Sequence, residues 1–341
     1  MITLTFSSHR NRSWRKRAMR GMSLIELMVA LAIGLILVAG LATLFANSSQ
    51  SGNELEKSIR QMENGRYAID LLNDDIKMAG YYGELNIDGI TYSTPNACAT
   101  ALGSLGWDNA AATIPTFVSG LSATQAAALS CLPNRASGSP ALVLRRLDPT
   151  ALTPASAASG TAYVQTSRCE TDPNATRLII SSTAADFTLR DLNCTTLNNV
   201  RRYVSRVYYV ASCNECGSDT TPTLKRAEIS PAQVTVSPLA EGIEEVAFEF
   251  GFDTDGDGVP DIYRAALSGT AGAADNAWNN VVATRVYLLS RSVDKSTGFV
   301  DGKTYSMGLA GTRGPFTDNY KRRVYVVTGR LNNPAGVREV P

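Results

Sequence analysis

Gly21-Met22-Ser23-Leu24-Ile25-Glu26-Leu27-Met28-Val29-Ala30-Leu31-Ala32-Ile33-Gly34 opens a run that stays apolar to Ala46. From Leu27 to Ala46, twenty residues carry no charge. As a helix they span roughly 30 Å, the thickness of a bilayer's hydrocarbon core. Glu26 stands just inside this segment. A carboxylate there is costly unless a cation meets it, which marks it as functional. Ahead of the segment lie Arg10, Arg12, Arg15, Lys16, Arg17 and Arg20, with no acid among them. A secretory signal peptide would have a shorter apolar core and small residues before its cleavage site, where this chain has Leu44 ahead of Ala46. A plain membrane anchor accounts for the length but not for the spacing of Gly21 and Glu26.

The 341 residues carry a formal charge of +1, yet the first 21 hold six of the 32 Lys and Arg and none of the 31 acids. The chain beyond Gly21 has 26 basic against 31 acidic groups, a net of −5, which gives no basis for nucleic-acid binding. By the positive-inside rule the basic leader is cytoplasmic and everything beyond Ala46 lies outside. This makes the protein a single-pass membrane chain with its C-terminal domain on the outer side. All six cysteines, Cys98, Cys131, Cys169, Cys194, Cys213 and Cys216, fall on the outer side. An even count in an oxidising compartment favours disulfides. Six cysteines allow fifteen pairings; the expectation is sequential pairing, which closes local loops.

From Asn47 to Ala79 the helix is expected to continue as an amphipathic rod. Leu55, Ile59, Met62, Ile69, Leu72 and Ile76 recur at steps of three, four or seven, between charged residues. Gly65 weakens the rod and Gly80 stops it. Residues 81–140 are small, polar and Gly-rich, and read as a long loop region with one short helix around Ala123 to Leu129, stapled by Cys98 and Cys131. Strand signals then dominate: Ala141–Leu147, Arg177–Ser182, Val200–Ala211, Pro222–Ile229, Glu244–Phe252, Val281–Ser290 and Arg322–Leu331. Strands joined by turns, without helices between them, make an antiparallel sheet. The predicted fold is α+β: a long N-terminal helix, transmembrane in its first half, laid on an antiparallel sheet. The predicted organisation is a leader over 1–21, a membrane helix over 22–46, its amphipathic continuation over 47–79 and an outer head over 80–341.

The basic leader, Gly21, Glu26 and the uninterrupted apolar helix together resemble the class III signal of type IV prepilins and pseudopilins. The resemblance implies that a prepilin peptidase cuts after Gly21 and N-methylates Met22. It also makes Glu26 the fifth mature residue, which sets assembly register. Met22 departs from the Phe that is commonest there in major pilins. Farther on, Leu239-Ala240-Glu241-Gly242-Ile243-Glu244-Glu245-Val246 leads into Gly251-Phe252-Asp253-Thr254-Asp255-Gly256-Asp257-Gly258. Val286-Tyr287-Leu288-Leu289-Ser290-Arg291-Ser292, Tyr320-Lys321-Arg322-Arg323-Val324-Tyr325 and Arg330-Leu331-Asn332-Asn333 come later. This order resembles PilW-type minor pilins, which help assemble type IV pili. The implied partners are other minor pilins, the major pilin, prepilin peptidase and the inner-membrane assembly machinery. Two other readings stay open: a J-like pseudopilin of a type II secretion system, and a pilin-stalked, calcium-dependent adhesin that binds through residues 81–140.

Two local motifs could carry chemistry. In Phe252–Asp261 the carboxylates of Asp253, Asp255, Asp257 and Asp261 take positions of an EF-hand-like Ca2+ loop, with Gly258 at its turn. The twelfth position is Arg264 rather than a bidentate Glu, so a polar hairpin turn remains the other reading. Cys213-Asn214-Glu215-Cys216 has CxxC spacing. Zinc would need two more ligands, and the sole histidine, His9, is in the leader. A thioredoxin-like redox role would need a helix N-terminus, whereas the flanks read as strands. A disulfide across a hairpin tip is the expectation. With no histidine beyond the leader and no phosphate or dinucleotide fingerprint, the chain reads as no enzyme. Glu244 and Glu245 are expected to project to opposite strand faces and be solvated.

Overall fold

The structure is a computed structural model that describes residues 21–85, 87, 90–173, 176–231, 233–265 and 278–339. The expected basic leader, with His9, lies outside these residues up to Arg20. The chain divides into two compact units, one ending at Glu54 and one beginning at Leu55.

Helix α1 (Leu24–Met78) is the first element, and the first unit consists of its apolar part with Gly21–Ser23 ahead of it. Its most apolar window has a mean hydropathy of 2.7 and no buried residue. Leu24, Ile25, Leu35, Ile36 and Phe45 are each exposed by 70% or more, so an apolar solvent is what this stretch is suited to.

The second unit is built on two antiparallel sheets. The first holds β1 (Val118–Leu121), β2 (Ala141–Leu152), β3 (Tyr163–Thr166), β4 (Leu178–Ser181), β5 (Val200–Ala211), β6 (Thr223–Ser230) and β7 (Gln233–Glu241). Its order is β1-β2-β5-β3-β4, with β6 on the far end of β5 and β7 on β6. The twelve-residue β5 is long enough for two neighbours along one edge: Val200–Arg202 pair with β3, and Ser205–Ala211 with β6. The second sheet has the order β9-β8-β10-β11, from β8 (Ile243–Phe252), β9 (Ile262–Arg264), β10 (Val281–Arg291) and β11 (Arg322–Arg330). The described residues also include short helices α2 (Ala123–Ala127) and α3 (Asn332–Arg338), a parallel pair of Thr91–Ser93 with Thr113–Pro115, and an antiparallel pair of Tyr305–Ser306 with Thr312–Arg313. The fold is α+β, and α2 falls within the stretch read as the one short helix of residues 81–140. A capping box starts it, in which Ser122 and Gln125 exchange side-chain and backbone hydrogen bonds.

One core lies under α1. Ala68, Leu72 and Ile76 meet Leu142, Leu144 and Tyr208 of the first sheet and Val246, Phe248, Phe250 and Leu288 of the second, all at 5% exposure or less. The opposite face of each sheet is covered too. Val143, Val207, Tyr209 and Ile229 pack on Ala126, Leu129 and Leu132. Ala247 and Leu289 pack on Met307, Tyr305 and Phe316. Burial on both faces explains why Ala141–Leu144 is apolar at every position, since alternation marks only strands with one wet face.

The buried stripe of α1 differs from the expected one. Ile69, Leu72 and Ile76 are buried, but Leu55, Ile59 and Met62 are 62%, 40% and 37% exposed. Upstream of Ala68 the inward positions belong to Gln61 and Gly65 instead. Gln61 Nε2 donates to the carbonyls of Ser290 (3.1 Å) and Lys321 (3.0 Å). Gly65 admits the Tyr325 ring, whose Cζ lies 2.6 Å from where a Cβ would stand. The helix ends before Gly80, whose φ of +73° suits glycine and whose N–H donates to the Arg145 carbonyl at 3.0 Å.

At an unencumbered helix interior, Gly→Ala stabilises by about 1 kcal/mol. Gly65→Ala should do the reverse and destabilise by about 1–3 kcal/mol, because the Tyr325 ring must leave its place. Gly52→Ala, with nothing within 4 Å of its new Cβ, should be neutral or stabilising. Thermal unfolding of the two variants against wild type checks both; a stabilised Gly65→Ala would refute the close approach.

Candidate functional site: the N-terminal signal and the polar clusters of the head

Gly21 and Met22 precede α1 as irregular, exposed chain. Ser23 caps the helix. The Ser23 N–H donates to Glu26 Oε2 at 2.9 Å, and the Glu26 N–H donates to Ser23 Oγ at 3.2 Å. This reciprocal capping box is legible in the sequence as Ser-x-x-Glu, a signal that the spacing of Gly21 and Glu26 alone does not bring out. It holds the carboxylate at the positive end of the helix dipole, three residues from Ser23. Gly21, Met22 and Glu26 thus fall at one helix start.

The cysteines pair sequentially: Cys98–Cys131, Cys169–Cys194 and Cys213–Cys216, with Cα–Cα distances of 5.6, 5.1 and 5.0 Å. Cys213 and Cys216 sit at the tip between β5 and β6.

In the Asp loop, oxygens of Asp253, Asp255 and Asp261 lie within 4.8 Å of one another. Asp257 is not among them; it accepts from the Val259 N–H at 2.7 Å. Asp253 is 1% exposed. Its carboxylate accepts from the N–H groups of Gly256 (2.6 Å) and Gly258 (2.9 Å) and from Arg338 of α3 (2.9 Å). Asp261 accepts both the N–H (2.7 Å) and the hydroxyl (2.6 Å) of Thr254. Burial raises the Asp253 pKa, but Arg338 and the two glycine amides outweigh it and hold the group below the usual range. The residues able to hold a cation are therefore Asp253, Asp255 and Asp261, and the buried one already has a guanidinium. Arg338, 85 residues away, gives no signal in the sequence.

The segments that carry the PilW resemblance meet in space. Arg322, with a fully buried side chain, donates to Glu244 (2.6 and 2.9 Å) and to Asp318 (2.8 and 2.5 Å), and its guanidinium lies 3.6 Å from the centre of the Phe316 ring. Beside it the Tyr305 hydroxyl donates to Asp301, at 2.9 Å to the nearer oxygen. Burial, then Asp301, pushes that phenol up to about 12. Glu245 pairs with Arg313 at 2.5 and 2.7 Å. The expectation that Glu244 and Glu245 are solvated is therefore corrected. At a register irregularity between Ile243 and Glu245, Glu244 meets Arg322 and Arg291 while Glu245 meets Arg313, and the two carboxylates are only 24% and 26% exposed.

Arg338→Met should cost about 3 kcal/mol at neutral pH, because it strands a buried carboxylate. The sign with pH comes from the lowered Asp253 pKa: its stabilisation is present above the unfolded value near 4 and fades as pH falls through the native value. The gap in melting temperature between wild type and Arg338→Met should accordingly shrink below about pH 4. A gap that stays constant with pH would refute the pairing.

Two family models match the chain. Residues 16–42 match the prokaryotic N-terminal methylation motif, and residues 207–333 match the type IV pilus-assembly protein W family. The second match takes in the CxxC tip, the Asp loop and the Arg322 cluster. No curated protein matches the chain. Among solved structures, a type IV-like pilin from Thermus thermophilus is similar at 13% identity, over 51% of this chain and 86% of its own, with a TM-score of 0.24. The chain thus carries a methylation motif at the start of α1 and, over residues 207–333, from the end of β5 through the second sheet, a segment similar to the type IV pilus-assembly protein W family.

Proposed function

We propose that prepilin peptidase cuts this chain between Gly21 and Met22, that Met22 is N-methylated, and that the product joins the priming or tip complex of a type IV pilus. The observation that carries the reading is the Ser23–Glu26 capping box at the head of an apolar helix with no covering side chains. Cleavage frees a positive amine at Met22. Among packed helices, a neighbour's amine meets a carboxylate fixed at Glu26 at one axial stagger only. That pairing offsets the cost of the buried charge and sets subunit register.

The chain then acts as a non-enzymatic subunit. Residues 22–46 cross the inner membrane, 47–79 continue the helix and 80–341 form the periplasmic head. Its partners are other minor pilins, the major pilin and the assembly machinery. The match over 207–333 favours this reading over a J-like pseudopilin of a secretion system. Ca2+ at Asp253, Asp255 and Asp261 is not required by it.

Glu26→Ala should insert and be cut at Gly21, yet fail to co-purify with other pilins and reduce piliation. Gly21→Leu should block cutting. Mass spectrometry of the N-terminus reads the first step and pilin pull-down reads the second. Normal assembly of Glu26→Ala would overturn the register role.

A further inference from the structure

The CxxC tip has a feature that a purely structural bridge does not need. Lys225, on β6 and only 7% exposed, places Nζ 3.5 Å from Cys216 Sγ and 2.9 Å from the carbonyl of Asn214. Cys216 is exposed, whereas Cys213 is 6% exposed. A thiolate at Cys216 would thus face both solvent and a fixed ammonium. A nearby cation is what lowers thiol pKa values at exchange-competent sites, in place of the helix N-terminus this hairpin lacks. Three other charged groups belong to the surroundings. The Asp219 carboxylate accepts from the N–H groups of Asn214, Glu215 and Thr221, which keep its pKa low. Glu215 is exposed. Arg135, bridged to Ala211, donates to the carbonyls of Ala136 and Ser139 and so faces its own turn. The other bridges are set differently: Cys98–Cys131 packs in the apolar cluster under α2, and Cys169–Cys194 lies beside the Thr171 hydroxyl.

We propose that Cys213–Cys216 is a thiol–disulfide exchange site in which Cys216 is the exchanging sulfur, Cys213 resolves it, Lys225 holds the Cys216 thiolate, and a dithiol is the co-substrate. In the reducing direction the first thiolate of the dithiol attacks Cys216 Sγ. The Cys213–Cys216 bond breaks, a mixed disulfide forms, and Cys213 leaves and takes a proton. The second thiolate attacks the co-substrate's own sulfur in the mixed disulfide and releases Cys216 as a thiolate beside Lys225. Two electrons pass to the protein, the dithiol becomes its cyclic disulfide, and one proton goes to solvent. The oxidising direction reverses these steps, with Cys216 attacking a partner disulfide.

The test uses the full chain in detergent, equilibrated in dithiothreitol buffers of graded potential, with thiols tagged and mapped by mass. Cys213–Cys216 should be reduced at potentials where the other two bridges persist. In protein reduced at this bridge alone, alkylation of Cys216 by iodoacetamide should show a pH midpoint below that of an ordinary thiol. Lys225→Met should slow that alkylation at pH 7 by roughly tenfold, the effect of about one pKa unit, and Lys225→Arg should restore it. Reduction of all three bridges together, or an unchanged alkylation rate in Lys225→Met, would overturn the proposal. Because the order of reduction is read on wild type, a poorly folded Lys225→Met leaves the test intact.

Discussion

A carboxylate on the buried face of α1 fixes where that helix sits on the head. Asp75, 8% exposed, accepts from the Tyr208 hydroxyl at 2.7 Å, from Arg206 at 2.9 Å and from Arg146 at 3.4 Å. Burial and then the Asp75 charge raise the Tyr208 pKa, so the phenol stays a donor. The net contribution of such a buried cluster to stability is modest, since desolvation offsets much of the attraction, but breaking it is costly. What it supplies is position. Apolar packing of Leu72 and Ile76 tolerates sliding along the helix; three donors converging on one carboxylate do not. The helix is thereby fixed in both rotation and translation over β2 and β5.

The same division between apolar burial and polar placement runs through the second sheet. Val246, Phe248 and Phe250 supply buried area on one face, and Arg322, gripping Glu244 and Asp318, fixes the long connection between β10 and β11 on the other. Arg338 does likewise for α3 through Asp253. Each of these arginines joins segments far apart in sequence, and each is partly or wholly desolvated. A lysine in its place would lack the fork that engages two partners at once.

The architecture was legible because its signals are local. Alternation in Glu244–Phe252, the branched runs and the glycine at position 80 each speak for their own neighbourhood. β7 was missed because Pro238 argues against a strand. The structure accommodates it at a bulge, where Ala240 faces Leu224 and Pro238 faces Lys225. β9 was missed because three residues are too few to show a period. The upper part of the helix stripe was misjudged because its inward positions are Gln61 and Gly65, whose reasons to be buried lie in Ser290, Lys321 and Tyr325. The signal at Gly21, Met22 and Glu26 was readable as spacing, whereas Arg338 on Asp253 and Lys225 on Cys216 became visible only once the strands were in register.

The end of α1 carries a consequence for how the head closes. Asn333 Nδ2 donates to the carbonyls of Ala79 (3.2 Å) and Met78 (3.5 Å), and Pro334 stands against Gly80. Beside the local bonds from the Ala79 N–H to Ile76 and from the Tyr81 N–H to Met78, the Ala79 carbonyl just past the helix thus accepts from a residue 254 positions later. A chain that leaves the ribosome N-terminus first exposes the helix long before its cap exists. Closure by a contact of such long range is slow and comes late. The packed head therefore needs the chain through residue 333, so the end of the helix and the last turns of the fold are bound into one closing contact.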